Sequence, residues 1–150
     1  MLFLNLGMPY FNQTDTNYEY YVNYSTAEDI NFAIKNIATA NDRLAVIAYQ
    51  PLVSWQTNTD LATRQLVYYA WQSGVPELKA EYHQVFFGDN PPEIIYGSNE
   101  PDLLAAKYIN ILKFGRPTEL YLRRDKFDSI TVSQWAALET RGFSPPSSND

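Results

Sequence analysis

The spacing of hydrophobic and polar residues changes several times along the chain, and each change predicts a helix or a strand. Near the N-terminus, leucines alternate with other residues over residues 2–6, which predicts a short strand. A second alternation predicts a strand over residues 18–24, with one face formed by Tyr18, Tyr20, Val22 and Tyr24. Tyr21 falls on the opposite face, so both faces of this strand are expected to carry tyrosine.

A helix is predicted to follow these strands. Ser25 and Glu28 have the spacing of a capping box, in which the hydroxyl accepts from a backbone N–H and the carboxylate reaches back. Apolar residues then recur at helical spacing, at Ile30, Ala33, Ile34, Ile37 and Ala38. One face of this helix is therefore expected to be buried, and the helix is expected to end near Asn41.

Six further elements are predicted between residues 44 and 124. They are strand, helix, strand, strand, helix and strand, at residues 44–49, 60–73, 80–87, 93–96, 101–115 and 119–123. This is the order of the ferredoxin-like split βαβ unit. We expect an α+β fold with a mixed, partly antiparallel sheet and helices packed on it. The order suggests a ferredoxin-like βαββαβ core (44–124), with N-terminal ββα and C-terminal helix additions.

The C-terminal part of the chain predicts one more helix and a tail. Thr131 and Gln134 have capping-box spacing, and the helix they open is expected to run to Gly142. The composition of residues 144–150, rich in serine and proline, is typical of a flexible segment. We therefore expect a single α+β domain over residues 1–143, with an apolar arm at residues 1–11.

Composition narrows the classes of function. The 150 residues carry 11 basic and 17 acidic side chains, so the net charge of -6 argues against direct nucleic-acid binding and against attraction to an anionic membrane. The absence of cysteine excludes disulfides and thiolate metal sites, and a single histidine excludes a His-rich metal centre. No cofactor is predicted. No signal peptide or membrane span is predicted either, so the expected location is the cytoplasm or a viral particle.

Two constellations are candidates for catalysis. His83 is a candidate general base, paired with Asp89 or Glu93 across a turn. Asp60, Glu77 and Lys79 approach the spacing of a metal-dependent nuclease, although Glu77 follows a proline and Asp60 lies at a predicted helix start, where the helix dipole already explains a carboxylate. A structural role is the commoner explanation for both sets.

Basic residues are concentrated near the C-terminal end of the predicted core. Within 14 residues of this acidic chain lie Lys113, Arg116, Arg123, Arg124 and Lys126. Such a cluster contacts phosphates or the acidic flank of a partner protein. The alternative is a solvated strand edge, where Lys and Arg discourage unwanted pairing.

Tyrosine is the unusual feature of the composition. The chain has 12 tyrosines, and tyrosine buries a large area at low conformational cost while it keeps one polar end, which suits protein interfaces. We therefore predict a non-enzymatic assembly subunit that contacts other protein subunits, with a virus or phage particle as one setting. The predicted interface residues are Leu2, Phe3, Leu4, Leu6, Met8, Tyr10, Phe11, Tyr18, Tyr20, Tyr21, Tyr24, Arg123 and Arg124.

Two other functions fit the sequence. One is a metal-dependent hydrolase or nuclease that uses the carboxylates named above. The other is a small regulatory ligand-binding domain, for which a ligand would raise the melting temperature.

Overall fold

The computed structural model describes residues 24–47, 51–65, 67, 69, 72, 74–97 and 105–146. Its helices are α1 (Tyr24–Ile37), α2 (Pro51–Thr57), α3 (Pro76–Phe87), α4 (Arg124–Asp128) and α5 (Val132–Glu139). Its strands are β1 (Arg43–Val46), β2 (Asp60–Leu61), β3 (Ile94–Tyr96), β4 (Tyr108–Lys113), β5 (Arg116–Arg123) and β6 (Phe143–Ser144).

The six strands form one mixed sheet in the order β2-β1-β3-β5-β4-β6. Strand β1 pairs in parallel with β2 and with β3, where Leu44 lies opposite Ile94. The remaining pairs, β3 with β5, β5 with β4 and β4 with β6, are antiparallel. The register of β4 against β5 shifts between Asn110 and Leu112, so β4 contains a bulge.

Helices cover both faces of the sheet centre. Strands β1 and β3 are almost entirely buried, as their uninterrupted apolar sequences require of strands that are covered on both sides. On one face, Leu44 and Ile94 pack with the apolar stripe of α1 and with Leu138 of α5. On the other face, Ala45 and Ile95 pack with Phe86 of α3.

The predicted α+β class and partly antiparallel sheet are confirmed. The amphipathic stripe of α1 is buried as predicted, although the helix ends at Ile37 rather than near Asn41. Strands predicted at 44–49, 93–96 and 119–123 correspond to β1, β3 and β5. The capping box at Thr131 is also present, because its hydroxyl accepts from the backbone N–H of Gln134 while the Gln134 side chain accepts from the backbone of Thr131.

Three predicted elements are wrong, and a ferredoxin-like core is not confirmed. The helix predicted at 60–73 is wrong at its start, because Asp60 and Leu61 form strand β2. The helix in this part of the chain is α2, which begins earlier, at Pro51, and ends before Asn58, a residue with a left-handed φ of 53°. The strand predicted at 80–87 belongs to helix α3, which has Pro76 in its first turn. Within the helix predicted at 101–115 lies strand β4, whose Tyr108, Ile109 and Ile111 favour extended backbone.

Several predicted interface residues lie outside the described residues. These are Leu2, Phe3, Leu4, Leu6, Met8, Tyr10, Phe11, Tyr18, Tyr20 and Tyr21. Tyr24, predicted to end a strand, is instead the first residue of α1. The predicted tail begins at Ser144, which pairs with Leu112 in β6, and the described residues end at Pro146.

Candidate interaction surfaces

A groove of about 730 Å³ runs between α1 and α2. Both helices and the segment after α5 line it, with Ala27, Glu28, Asn31, Phe32, Lys35, Trp55, Gln56 and Arg141. We call this surface the α1–α2 groove. It combines aromatic rings with charged and amide side chains, which is the chemistry of a site for a peptide or another polar ligand with apolar parts.

Trp55 projects from α2 beside this groove. The helix packs its other face on the core, because Val53 and Thr57, four residues apart, are both buried. The side chain of Trp55 is 75% exposed. An exposed tryptophan leaves a large apolar area in water, and tryptophan is enriched among the residues that dominate binding energy at protein interfaces.

Asn31 lies in the groove with one of its polar atoms unsatisfied. The residue is only 5% exposed, and its Nδ2 donates to Oε1 of Gln56, which joins α1 to α2. Its Oδ1 is buried and accepts no hydrogen bond. A buried acceptor without a partner destabilises a protein by about 1–3 kcal/mol.

Arg141 lines the groove and is held by two carboxylates. Its guanidinium donates to Glu28 at 3.0 Å and to Asp29 at 3.1 Å, and it lies 4.8 Å from the centre of the Phe32 ring. The hydrogen bonds to Glu28 and Asp29 raise the pKa of Arg141. Lys35, also in the groove, makes no ion pair with a described residue.

A second exposed aromatic residue lies at the turn between β4 and β5. Phe114 and Gly115 form a two-residue connection with φ of 49° and 72°, as in a type I′ turn. Phe114 is 76% exposed, its N–H donates to the carbonyl of Gly142 at 2.8 Å, and its ring lies against Gly142. We call residues 113–116 the hairpin tip.

A smaller cavity, of about 350 Å³, opens beside the hairpin tip. The buried residues Ile30, Tyr96 and Phe143 form its apolar part. Burial raises the pKa of the Tyr96 phenol to about 12, and the charge of Glu119 adds to the effect. Glu119 and Arg116 both line this cavity.

Internal ion pairs neutralise two of the residues in the predicted basic cluster and leave two others unpaired among the described residues. Lys113 pairs with Asp29 on α1, and Lys126 pairs with Asp42 at 2.6 Å. Arg116 and Arg124 are exposed and make no ion pair with a described residue. Lys113 and Lys126 therefore support the fold rather than present free charge to a ligand.

Arg123 is also engaged inside the protein. Its guanidinium donates to Asp125 at 2.6 Å and 2.7 Å, to Glu93 at 2.8 Å and to the carbonyl of Pro91 at 2.6 Å. Glu93 also accepts from the backbone N–H of Arg43. Burial tends to raise the pKa of Glu93, but the hydrogen bonds from Arg43 and Arg123 outweigh it and hold that pKa below its usual value.

The candidate catalytic residues are not brought together. His83 lies on α3 rather than on a strand, and it is exposed, with ring contacts to Tyr82 and Phe87. Its candidate partner Glu93 is bound to Arg43 and Arg123, and Asp89 is exposed.

The second constellation is exposed and unconnected. Asp60 lies in β2, whereas Glu77 and Lys79 lie at the start of α3, and no hydrogen bond or ion pair joins them. In the part of the chain that the structure describes, no three acidic or histidine side chains gather in a geometry that would hold a metal ion.

The structure adds three residues that the sequence did not single out, Asn31, Trp55 and Phe114. One signal was present for Phe114, because Phe-Gly between two apolar segments has a glycine where a hairpin turn needs one. No such signal exists for Trp55 or Asn31, because the exposure of one and the burial of the other depend on how α2 packs against the core and α1.

Comparison with known proteins adds no family. No family model, no curated protein and no solved structure matches the chain. Within the described residues, none of the helices has the length and apolar character needed to cross a membrane.

Proposed function

We propose that this protein is a non-enzymatic subunit that acts through protein–protein contacts in a larger complex, and that the α1–α2 groove binds a segment of a partner protein. The single observation that carries the proposal is Trp55, which is 75% exposed beside the groove. Its position on the lining of a groove, together with the enrichment of tryptophan at interface hot spots, supports a role as the anchor that a partner covers.

The groove defines the chemistry of the partner segment. An apolar or aromatic side chain would pack on Trp55 and Phe32. A carboxylate would pair with Lys35, because the nearby Arg141 is already bound to Glu28 and Asp29. The expected ligand is therefore a peptide segment in which an acidic residue lies near an apolar one.

Other parts of the chain supply further contacts in this proposal. The apolar arm at residues 1–11, the tyrosine-rich residues 18–24 and the C-terminal residues remain predicted contacts, and a virus or phage particle remains a predicted setting. Arg124 is exposed at the start of α4 and is available to an acidic partner.

The proposal is tested on the complex isolated from the natural source. Native mass spectrometry identifies the chains that accompany this protein, and hydrogen exchange then compares the complex with the free chain. We expect the amides of residues 27–35 and 52–56 to be protected in the complex. Equal exchange of these amides in the complex and in the free chain would contradict a role for the groove.

Two variants make the test specific. Trp55→Ala removes the anchor, and we expect it to weaken incorporation at least about tenfold, as is typical of an interface hot spot. Val132→Ala removes a side chain that is 87% exposed on α5, away from the groove, so it is the matched control and should assemble normally. Normal assembly of Trp55→Ala would overturn the proposal.

A further inference from the structure

Phe114 occupies a backbone conformation that phenylalanine rarely adopts. Its φ of 49° is in the left-handed region, where a side chain other than that of glycine, asparagine or aspartate is strained. Type I′ turns favour Asn-Gly and Asp-Gly, whereas this turn has Phe-Gly. The ring is 76% exposed, so burial in the monomer does not offset the strain. Strain of this kind at an exposed position points to a role outside the fold.

The cavity beside the hairpin tip has the size and lining to accept such a ring. Ile30, Tyr96 and Phe143 contribute its buried apolar part, the Lys113–Asp29 ion pair forms part of its wall, and its volume is about 350 Å³. For comparison, an apolar cavity of about 150 Å³ accommodates benzene. The ring of Phe114 cannot turn into this cavity without leaving Gly142, against which it lies.

The charges at the edge of this cavity are complementary to each other. Arg116 and Glu119 both line the cavity, are both exposed, and make no ion pair within the described residues. The same surface therefore carries the exposed ring of Phe114, a cavity that can accept a ring, and the charges of Arg116 and Glu119, which are unpaired among the described residues. A surface that carries both members of each pair is self-complementary, as a two-fold symmetric interface requires.

We propose that two copies of this chain form a symmetric dimer through their hairpin tips. Phe114 of each copy enters the cavity of the other, and Arg116 of each copy pairs with Glu119 of the other. The cavity shares no lining residue with the α1–α2 groove, although Arg141 of the groove donates to Asp29 of the cavity. The dimer can therefore be tested, and can fail, independently of the proposed function.

The first experiment is analytical ultracentrifugation of the full chain over a concentration series. The chain of 17.3 kDa should reach twice that mass as concentration rises to the sub-millimolar range. Phe114→Asn should raise the dissociation constant by at least about tenfold, while its urea midpoint under monomeric conditions stays equal to or above that of the wild type. A wild-type chain that stays monomeric, or a Phe114→Asn dimer of unchanged affinity, would overturn the proposal.

A charge exchange provides the second experiment. Arg116→Glu alone and Glu119→Arg alone each place like charges opposite one another and should weaken the dimer. The double variant restores opposite charges and should recover most of the affinity. Failure of the double variant to recover it would overturn the pairing of Arg116 with Glu119. The matched control is Val132→Ala, which removes a side chain that is 87% exposed on α5 and lines neither cavity, and which should dimerise like the wild type.

Discussion

Lys126 and Asp42 form the most deeply buried ion pair among the described residues. Their side chains are 7% and 9% exposed, and Nζ lies 2.6 Å from Oδ2. The pair connects α4 to the segment before β1, where Asp42 also accepts from the backbone N–H and the hydroxyl of Thr39. Burial tends to raise the pKa of Asp42, but the hydrogen bonds from Lys126 and Thr39 outweigh it and lower that pKa.

Lys126→Met tests this pair because methionine keeps the aliphatic stem and removes the charge. Asp42 would then be a buried carboxylate without a cation, a change that typically costs about 3–5 kcal/mol. A domain of this size has a free energy of unfolding of about 5–15 kcal/mol, so the loss is a large fraction of the total. With a urea m-value of about 2 kcal/mol/M, the unfolding midpoint should fall by about 1.5–2.5 M.

The measurement is urea denaturation of the wild type, Lys126→Met and the double variant Lys126→Met/Asp42→Asn. Asparagine retains an acceptor for Thr39 without a charge, so the double variant should recover most of the lost stability.

The pH dependence gives a second readout. Because the pKa of Asp42 is lowered in the fold, its contribution is present above the unfolded pKa of about 3.9 and is lost as the pH falls through the folded value. The deficit of Lys126→Met should therefore shrink in acid. A deficit under about 1 kcal/mol at neutral pH, or one that is independent of pH, would show that the Lys126–Asp42 pair is solvated rather than buried.

Three smaller predictions concern the same fold. Thr131→Ala should lower the free energy of unfolding by about 1 kcal/mol through loss of the capping box, whereas Ser133→Ala should change it by less than about 0.5 kcal/mol in urea denaturation. The phenol of Tyr96 should ionise near pH 12 in an ultraviolet absorbance titration of the folded protein. The free energy of unfolding should fall as the pH rises above about 10, because the phenol ionises there in the unfolded chain. Ionisation near pH 10 in the folded protein would contradict the burial of Tyr96. Gly142→Ala should destabilise the protein by at least about 1–2 kcal/mol, because Gly142 has a φ of 79° and a Cβ would overlap the Phe114 ring. Adding Phe114→Ala should relieve part of this cost. If the two substitutions changed the free energy of unfolding additively in urea denaturation, the contact between Gly142 and Phe114 would be contradicted.

The elements predicted correctly are those whose sequence pattern fits only a helix or only a strand. The stripe of α1 and the capping box of α5 depend on neighbours within one or two turns, so sequence alone was sufficient for both. The short apolar strands β1 and β3 were equally clear, because they are too short to be helices and are bounded by turn residues.

The wrong predictions come from segments whose sequence pattern fits both a helix and a strand. Residues 80–87 alternate well enough for a strand, but Tyr82 and Phe86 are four apart and their rings pack 4.5 Å apart on α3. The apolar run before Gly115 has no clear period, and only the β-branched and aromatic residues of β4 favour a strand there.

The candidate surfaces were harder to predict because they depend on tertiary contacts. The exposure of Trp55 depends on which face of α2 meets the core, and the orphaned Oδ1 of Asn31 depends on the position of Gln56. Likewise, Lys113 and Asp29 are 84 residues apart, so the sequence did not show that this cation is neutralised.

Native mass spectrometry of the species that contains this chain in its natural source decides whether the protein works through contact with other proteins. We expect a complex that contains other chains, is heavier than a dimer of 17.3 kDa subunits, and loses this protein when Trp55 is replaced by alanine. Occurrence of the chain only as a free monomer or homodimer would show that it does not act as a subunit of a larger complex.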